Sequence, residues 1–347
     1  MRWQTAMKTR TSNIQSPAPK SGGIEIVTTE TAGMRESGFG SVETCRGIAD
    51  VLGSEHSGVR FNLVTSKSDL REIVDRRPDL VILCVKYIFD DLGGEVIWLS
   101  DFFDRNELLH SGSAFKTLEF DSNKSIAKTF LRNKGVATAE FFLARPEQFS
   151  VDEELPLDYP LFVKPLDAAN GNGIDDDSIV RDFPSFEAKT RSVVDNFGRV
   201  ALVERVLTGR EFTVAILGEG SNQSPHAMPV EIIAQPNKHG DRILGAEAKT
   251  ANREVLQAVH GELRSRVAEF ALRAFGALGG RDFGRIDIKM DARGVPHFLE
   301  ANLVPGMTRD SSYFPEACRI DAGLSYRDVV LKILDLTLQR KAVPATV

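Results

Sequence analysis

One strand–turn–strand segment constrains this chain more than any other. Residues 282–290 and 295–302 are apolar-rich runs joined by Asp291-Ala292-Arg293-Gly294, a pattern that reads as a β-hairpin. Side chains alternate faces along a strand, so Arg285 and Asp287 share one face, and Glu300 and Asn302 share one on the partner. A four-residue connection pairs Met290 with Val295, which sets Arg285 opposite Glu300 and Asp287 opposite Phe298. All four polar side chains then point one way. Two carboxylates and an amide oxygen gathered like this are hard ligands suited to Mg²⁺, an ion usually held by one or two carboxylates together with substrate phosphates. The hairpin therefore predicts a nucleotide. A hairpin with one solvated face carries the same alternation. The segment that follows, Asn302-Leu303-Val304-Pro305-Gly306-Met307-Thr308, is an apolar Pro- and Gly-containing loop of the kind that approaches a ligand.

The rest of the chain divides by pattern. Residues 24–28, 59–64 and 80–85 are β-rich and alternate with a helix over 42–52, which predicts a parallel sheet. A helix over 121–134, capped by Asp121 and ended by Gly135, gathers Ile126, Ala127, Phe130 and Leu131 on one face. Strands over 161–164, 200–204, 211–217 and 230–233, with one helix over 183–196, predict antiparallel pairing in a mixed lobe. A long helix over 255–278 and a closing helix over 329–338 complete the chain. The expected organisation is a mobile tail over 1–22, an N-terminal α/β domain over 23–115, a central α+β unit over 116–205 and a C-terminal α+β unit over 206–340. The chain has 347 residues, 42% of them hydrophobic, and a net charge of −6. No clustered basic face suggests a nucleic-acid partner, and no apolar run reaches the roughly 18 residues of a membrane span. Cys45, Cys84 and Cys318 are far apart and free of metal-type spacing. They predict reduced thiols in a cytoplasmic protein.

Lysines supply the charge that complements phosphate. Lys124 lies near a helix start, Lys249 in a polar segment, and Lys164 at the end of an apolar strand that feeds Ala168-Ala169-Asn170-Gly171-Asn172-Gly173. Backbone N–H groups of such a loop can cradle phosphate oxygens, although the Gly-Lys-Ser/Thr ending of a Walker loop is missing. Each lysine alone also reads as an ordinary surface residue. The segment Leu202-Val203-Glu204-Arg205-Val206-Leu207 reads as a connection between strands. It offers backbone groups to an adenine edge, with Glu211 beyond it for a ribose.

In order, these pieces resemble the D-alanine–D-alanine ligase family of the ATP-grasp superfamily, over roughly residues 111–338. The carriers are Asp121-Ser122-Asn123-Lys124, Phe162-Val163-Lys164-Pro165, Val203-Glu204-Arg205, Gly209-Arg210-Glu211-Phe212-Thr213-Val214-Ala215-Ile216-Leu217, Gly284-Arg285-Ile286-Asp287, Glu300-Ala301-Asn302 and Pro305-Gly306-Met307-Thr308. The resemblance implies an ATP-grasp fold and a ligase that joins a carboxylate to an amine through an acyl phosphate. It implies Lys124 and Lys164 on ATP phosphates, Glu204 and Val206 at the adenine, Glu211 at the ribose and Lys249 at the γ-phosphate. Asp287, Glu300 and Asn302 would hold two Mg²⁺ ions, with Mn²⁺ as a substitute. Arg285 would stabilise charge developing during acyl transfer, and Ser311 would contact the second substrate's carboxylate. Amino-acid or small-carboxylate and amine substrates are the expected partners, and a homodimer is admitted.

Two segments depart from the family pattern. Its Gly-Gly-x-Ser-x-Glu stretch reads Thr28-Thr29-Glu30-Thr31-Ala32-Gly33-Met34-Arg35-Glu36 here, and its Ser-Ser-Val-Gly loop reads Asn170-Gly171-Asn172-Gly173. Both normally help to define the first amino-acid site, so D-alanine is not expected as the preferred first substrate. A true D-alanine–D-alanine ligase and a non-catalytic nucleotide-binding protein remain the alternatives.

Overall fold

The structure, a computed structural model, describes residues 23–30, 38–90, 94–167, 171–218, 225–237, 239–245 and 254–341. The expected tail over 1–22, Lys249, Glu36 and Asn170 lie outside the described residues.

Three strands, β1 (Ile24–Thr28), β2 (Val59–Leu63) and β3 (Leu80–Leu83), form a parallel sheet in the order β2-β1-β3. Between them run α1 (Val42–Gly53) and α2 (Lys67–Asp75), each capped by a serine that accepts from a backbone amide of the first turn. This is the alternation that the sequence predicts. A short hairpin, β4 (Tyr87–Phe89) and β5 (Val96–Trp98), leads to α3 (Leu99–Arg105).

The helix expected over 121–134 is two helices, α4 (Phe115–Ser122) and α5 (Lys124–Asn133). Asn123 caps the second, accepting from the Ser125 and Ile126 amides. Asp121 has other work: its carboxylate meets Lys86 at 2.8 Å and accepts from the Leu303 amide at 2.5 Å. The buried face of α5 is Lys124, Ala127, Lys128 and Leu131, while Ile126 is 51% exposed. The face therefore sits one position away from the apolar stripe expected, because it buries charge that is paired elsewhere.

A four-stranded antiparallel sheet in the order β6-β9-β7-β8 follows, with β6 (Phe141–Ala144), β7 (Leu161–Pro165), β8 (Ile179–Val180) and β9 (Ala201–Arg205). Helix α6 (Phe183–Phe197) packs on it. The strand expected over 200–204 is β9, and the connection read over 202–207 begins after Arg205 and runs to Arg210. A five-stranded antiparallel sheet then runs β12-β11-β10-β13-β14, with β10 (Glu211–Leu217), β11 (His226–Ala234), β12 (Glu254–Ala258), β13 (Phe283–Met290) and β14 (Pro296–Asn302). The helix expected from 255 begins later, as α7 (Gly261–Leu278), because residues 254–258 pair with β11 as the sheet edge. Helices α8 (Tyr313–Ala322) and α9 (Tyr326–Lys341) close the chain.

The parallel sheet and the five-stranded sheet share one apolar core, which runs from Ile26 and Ile82 through Phe39 to Phe283, Ile286 and Leu334. The four-stranded sheet has its own core, built on Leu161, Val163, Phe186 and Val203.

One buried carboxylate fastens the shared core. Asp282 is fully buried and takes the Gly112 amide at 2.8 Å, the Thr337 hydroxyl at 3.1 Å and the Arg340 guanidinium at 2.8 Å. It ties the start of β13 to the segment after β3 and to the last helix. Its backbone is left-handed, with φ 62°, which Asn tolerates as readily as Asp. Asp282→Asn is therefore expected to isolate the loss of charge. Urea unfolding should show a loss of about 3–5 kcal/mol, the usual result of orphaning one member of a buried ion pair. A change below about 1 kcal/mol would show that the cluster is solvated.

Candidate active site

β13 and β14 do pair antiparallel, but not in the register counted from the turn. Met290 faces Pro296, Lys289 faces His297 and Ile288 faces Phe298. Between Asp287 and Ile288 the register slips, after which Asp287 faces Glu300, Ile286 faces Ala301 and Arg285 faces Asn302. Leu299 is the extra residue. Continued through Leu299 without the slip, the pairing from the turn would set Glu300 beside Ile286 on the apolar face. A one-residue shift moves every later side chain to the other face, and a β-bulge is such a shift. The expected pairings of Asp287 with Phe298 and Arg285 with Glu300 are thus corrected. Phe298 belongs to the core with Ile288, and the two carboxylates sit side by side.

Asp287 is held by four donors. Arg285 approaches through Nε at 3.0 Å and Nη2 at 2.9 Å, the Thr213 hydroxyl donates at 2.7 Å and the Asn302 amide nitrogen at 3.3 Å. Burial works against the Arg285 charge, but Asp287 more than offsets it and raises the guanidinium above its usual range. Tyr313 lies beneath that guanidinium, 5.6 Å from it, and its hydroxyl donates to Glu254 at 2.7 Å. Glu300 meets Lys124 at 3.2 Å.

A second charged cluster is built on Glu204. Its Oε1 lies 2.7 Å from Lys128 Nζ and its Oε2 2.5 Å from Lys164 Nζ. Burial alone would raise this carboxyl group, but the two ammonium groups outweigh it and hold the pKa at about 2. Glu211 pairs with Lys289 at 2.6 Å.

One cleft connects these groups. Lys124, Lys164, Glu204, Val206, Glu211, Asp287 and Glu300 all line it. Arg285 and Asn302 reach it by way of Asp287. Ser311 stays outside the lining, exposed in the turn before α8, where its amide makes a long 3.4 Å bond to the Thr308 carbonyl. Apolar walls missed by the sequence reading come from Phe162, Ile232, Ile243 and Leu299. Lys128 and Thr213 were missed too. The four-residue spacing of Lys124 and Lys128, which puts both on one side of a helix, is the signal that could have found Lys128. Over the cleft, Gly245 packs so closely on the Ile174 carbonyl that a side chain there would collide.

Among the described residues no group of three or more His, Cys, Asp or Glu is placed to hold a metal ion. The two carboxylates and the Asn302 amide do suit Mg²⁺ shared with phosphate oxygens. Asp287 and Glu300 are balanced by Arg285 and Lys124, so an added cation is matched only if anionic ligands arrive with it.

If Leu299 is only the extra residue of the bulge, deleting it should leave Glu300 opposite Asp287, because Phe298 and Glu300 then follow one another in a regular ladder. Leu299→Ala is expected to shift the urea midpoint little, because the side chain is half-buried. The shortened strand keeps every later pairing, so the deletion is expected to cost no more than about 1–2 kcal/mol beyond Leu299→Ala. A much larger loss would show that the bulged geometry itself is required.

The family model for the D-ala D-ala ligase C-terminus matches residues 130–335, more than half of the chain. An uncharacterised protein of Sinorhizobium fredii is 30% identical over 223 residues, 63% of each chain. The D-alanine–D-alanine ligase of Chromohalobacter salexigens is 31% identical over 230 residues, which are 66% of this chain and 69% of that one. The D-alanine–D-alanine ligase of Bacillus anthracis, solved in complex with ATP, superposes with a TM-score of 0.70 at 19% identity, covering 93% of this chain and 100% of that one. Among the described residues, no helix is long and apolar enough to cross a membrane. With its fold, its cleft and these relatives in agreement, the chain belongs to the D-alanine–D-alanine ligase family of ATP-dependent carbon–nitrogen ligases with the ATP-grasp fold.

Proposed function

We propose that the cleft binds ATP, and that the protein activates a small carboxylate as an acyl phosphate and passes it to an amine, releasing ADP and phosphate. One observation carries this reading. A single cleft is lined by two buried lysines, two adjacent carboxylates and several apolar side chains. That combination suits a nucleotide, whose base is flat and apolar and whose phosphates need cations.

In this reading the base lies near Phe162, Leu299 and the hinge backbone at Val206, with Glu204 contributing by fixing Lys164. Glu211 faces the ribose. Lys124 and Lys164 face the phosphates, and Lys249 is assigned to the γ-phosphate by family resemblance. Asp287, Glu300 and Asn302 are the proposed Mg²⁺ ligands. Bound there, Mg²⁺ would supply charge neutralisation for the transferring phosphoryl group. Arg285 is rigidly clamped on Asp287 and stacked on Tyr313, so its charge is preorganised for the oxyanion that forms when an amine attacks the acyl phosphate. Ser311 keeps its proposed role with the second substrate's carboxylate. The tail over 1–22 and the boundaries at 115/116 and 205/206 stay part of the proposal. The three described cysteines are free and buried, which fits a reducing cytoplasm.

The acid is proposed to be an amino acid or small carboxylate other than D-alanine. A buried ammonium needs a carboxylate partner or pays a heavy desolvation cost. The segment that supplies that carboxylate in the family is rearranged here around Glu36. The test is a screen of amino acids and small carboxylates for stimulated ADP release. Glu300→Ala is expected to lower ADP formation at least about 100-fold, with an unchanged unfolding midpoint. Full activity in that variant would remove Glu300 from the chemistry. Efficient D-alanyl-D-alanine synthesis at an ordinary KM of about 1 μM to 1 mM would overturn the substrate proposal and assign the cell-wall reaction.

A further inference from the structure

Lys128 has no task in the reading above. It is fully buried and does not line the cleft. A lysine ammonium has three donors and no acceptor, and three oxygens surround this one. They are Glu204 Oε1 at 2.7 Å, the Phe298 carbonyl at 3.0 Å and the Thr138 hydroxyl at 3.2 Å. Two of these are hydrogen bonds and the third is an ion pair. Its neighbour across Glu204 is different. Lys164 meets the other carboxylate oxygen at 2.5 Å, lines the cleft and lies 5.6 Å from the Phe162 ring centre.

We infer that Lys128 is a positioning residue for nucleotide binding: it immobilises Glu204, which in turn aims Lys164 at the bound nucleotide. The inference rests on the proposal that the cleft takes ATP. Lysine is a flexible four-carbon stem carrying a point charge, so a cleft lysine is useful only if its head is held. Glu204 can hold it only if its own carboxylate is fixed, and burial between two ammonium groups fixes it. The anchor is well chosen. Phe298 pairs with Thr138 through a bridge and with Ala137 through a backbone hydrogen bond, so Lys128 joins α5 to β14, two residues before Glu300. Glu204 and the strand that carries Glu300 are thus both tied to one side chain.

The experiment is a double-mutant cycle on ATP affinity by calorimetry, with wild type, Lys164→Ala, Lys128→Met and the double variant. Lys128→Met together with Glu204→Gln is a further variant, in which no carboxylate is left short of a partner. Thermal unfolding of each variant shows that it is folded. Lys164→Ala is expected to weaken ATP about tenfold or more, as befits a lost charge-assisted contact. Lys128→Met should weaken it comparably in the wild-type background and hardly at all once Lys164 is gone, because the two act through one route. The Lys128→Met/Glu204→Gln variant should bind as weakly as Lys128→Met. Saturating ATP should restore most of kcat to both. Three results overturn the inference: ATP affinity unchanged in Lys128→Met, effects of Lys128 and Lys164 that multiply independently, or affinity restored by Glu204→Gln. In each of these the wild type binds ATP and the nucleotide reading stands. Failure of the wild type to bind ATP overturns both.

Discussion

An ionised carboxylate taken out of water costs several kcal/mol unless cations and hydrogen-bond donors replace the solvent. Much of this molecule is arranged around meeting that cost three times. Asp282 is met by Arg340, Thr337 and a backbone amide, Asp287 by Arg285, Thr213 and Asn302, and Glu204 by Lys128 and Lys164. Each carboxylate lies where at least two elements meet, so its partners arrive from different parts of the chain. The donors cannot drift without exposing a buried charge. Contacts of this kind fix positions more strictly than apolar packing does, since a methyl group tolerates many neighbours and a carboxylate tolerates few.

The cores divide the molecule differently from the sheets. The parallel sheet and the five-stranded sheet bury one continuous apolar interior, whereas the four-stranded sheet and α6 bury their own. The cleft lies along that division, crossed by the hinge at 206–210 and by the approach of Gly245 to Ile174. A lobe with a separate core can move as a unit without exposing apolar surface inside either body. In the reading proposed here, the lobe that carries Lys164 is the one free to close on a nucleotide.

Much of this was legible in the sequence. The parallel sheet, the strand over 211–217 and the polar hairpin follow from period and turn chemistry, and seven of the proposed site residues line one cleft. What escaped did so for identifiable reasons. The apolar content of 254–258 continues that of α7, and only pairing with β11 shows it to be a strand. Asp121 has the composition of a cap, but Asn123 wins that place because Asp121 is taken by Lys86 and the Leu303 amide. Lys128 looks like a surface lysine, and only its four-residue spacing from Lys124 hints otherwise, because the glutamate that meets it lies far along the chain. The register of the hairpin failed because alternation is a local rule, while a bulge is a break in it that no single residue type marks.

That bulge has a consequence for how one strand divides its labour. In an uninterrupted strand, Phe298 and Glu300 would look the same way, both inward or both outward. Leu299 changes the frame between them, so that Phe298 faces the core while Glu300 stands beside Asp287 on the cleft. One edge strand thereby serves the interior and the cleft without a separate loop for each task. The cost is one irregular position: Leu299 has no place of its own in the ladder, and only the slip beside it lets two residues that are two apart take opposite faces.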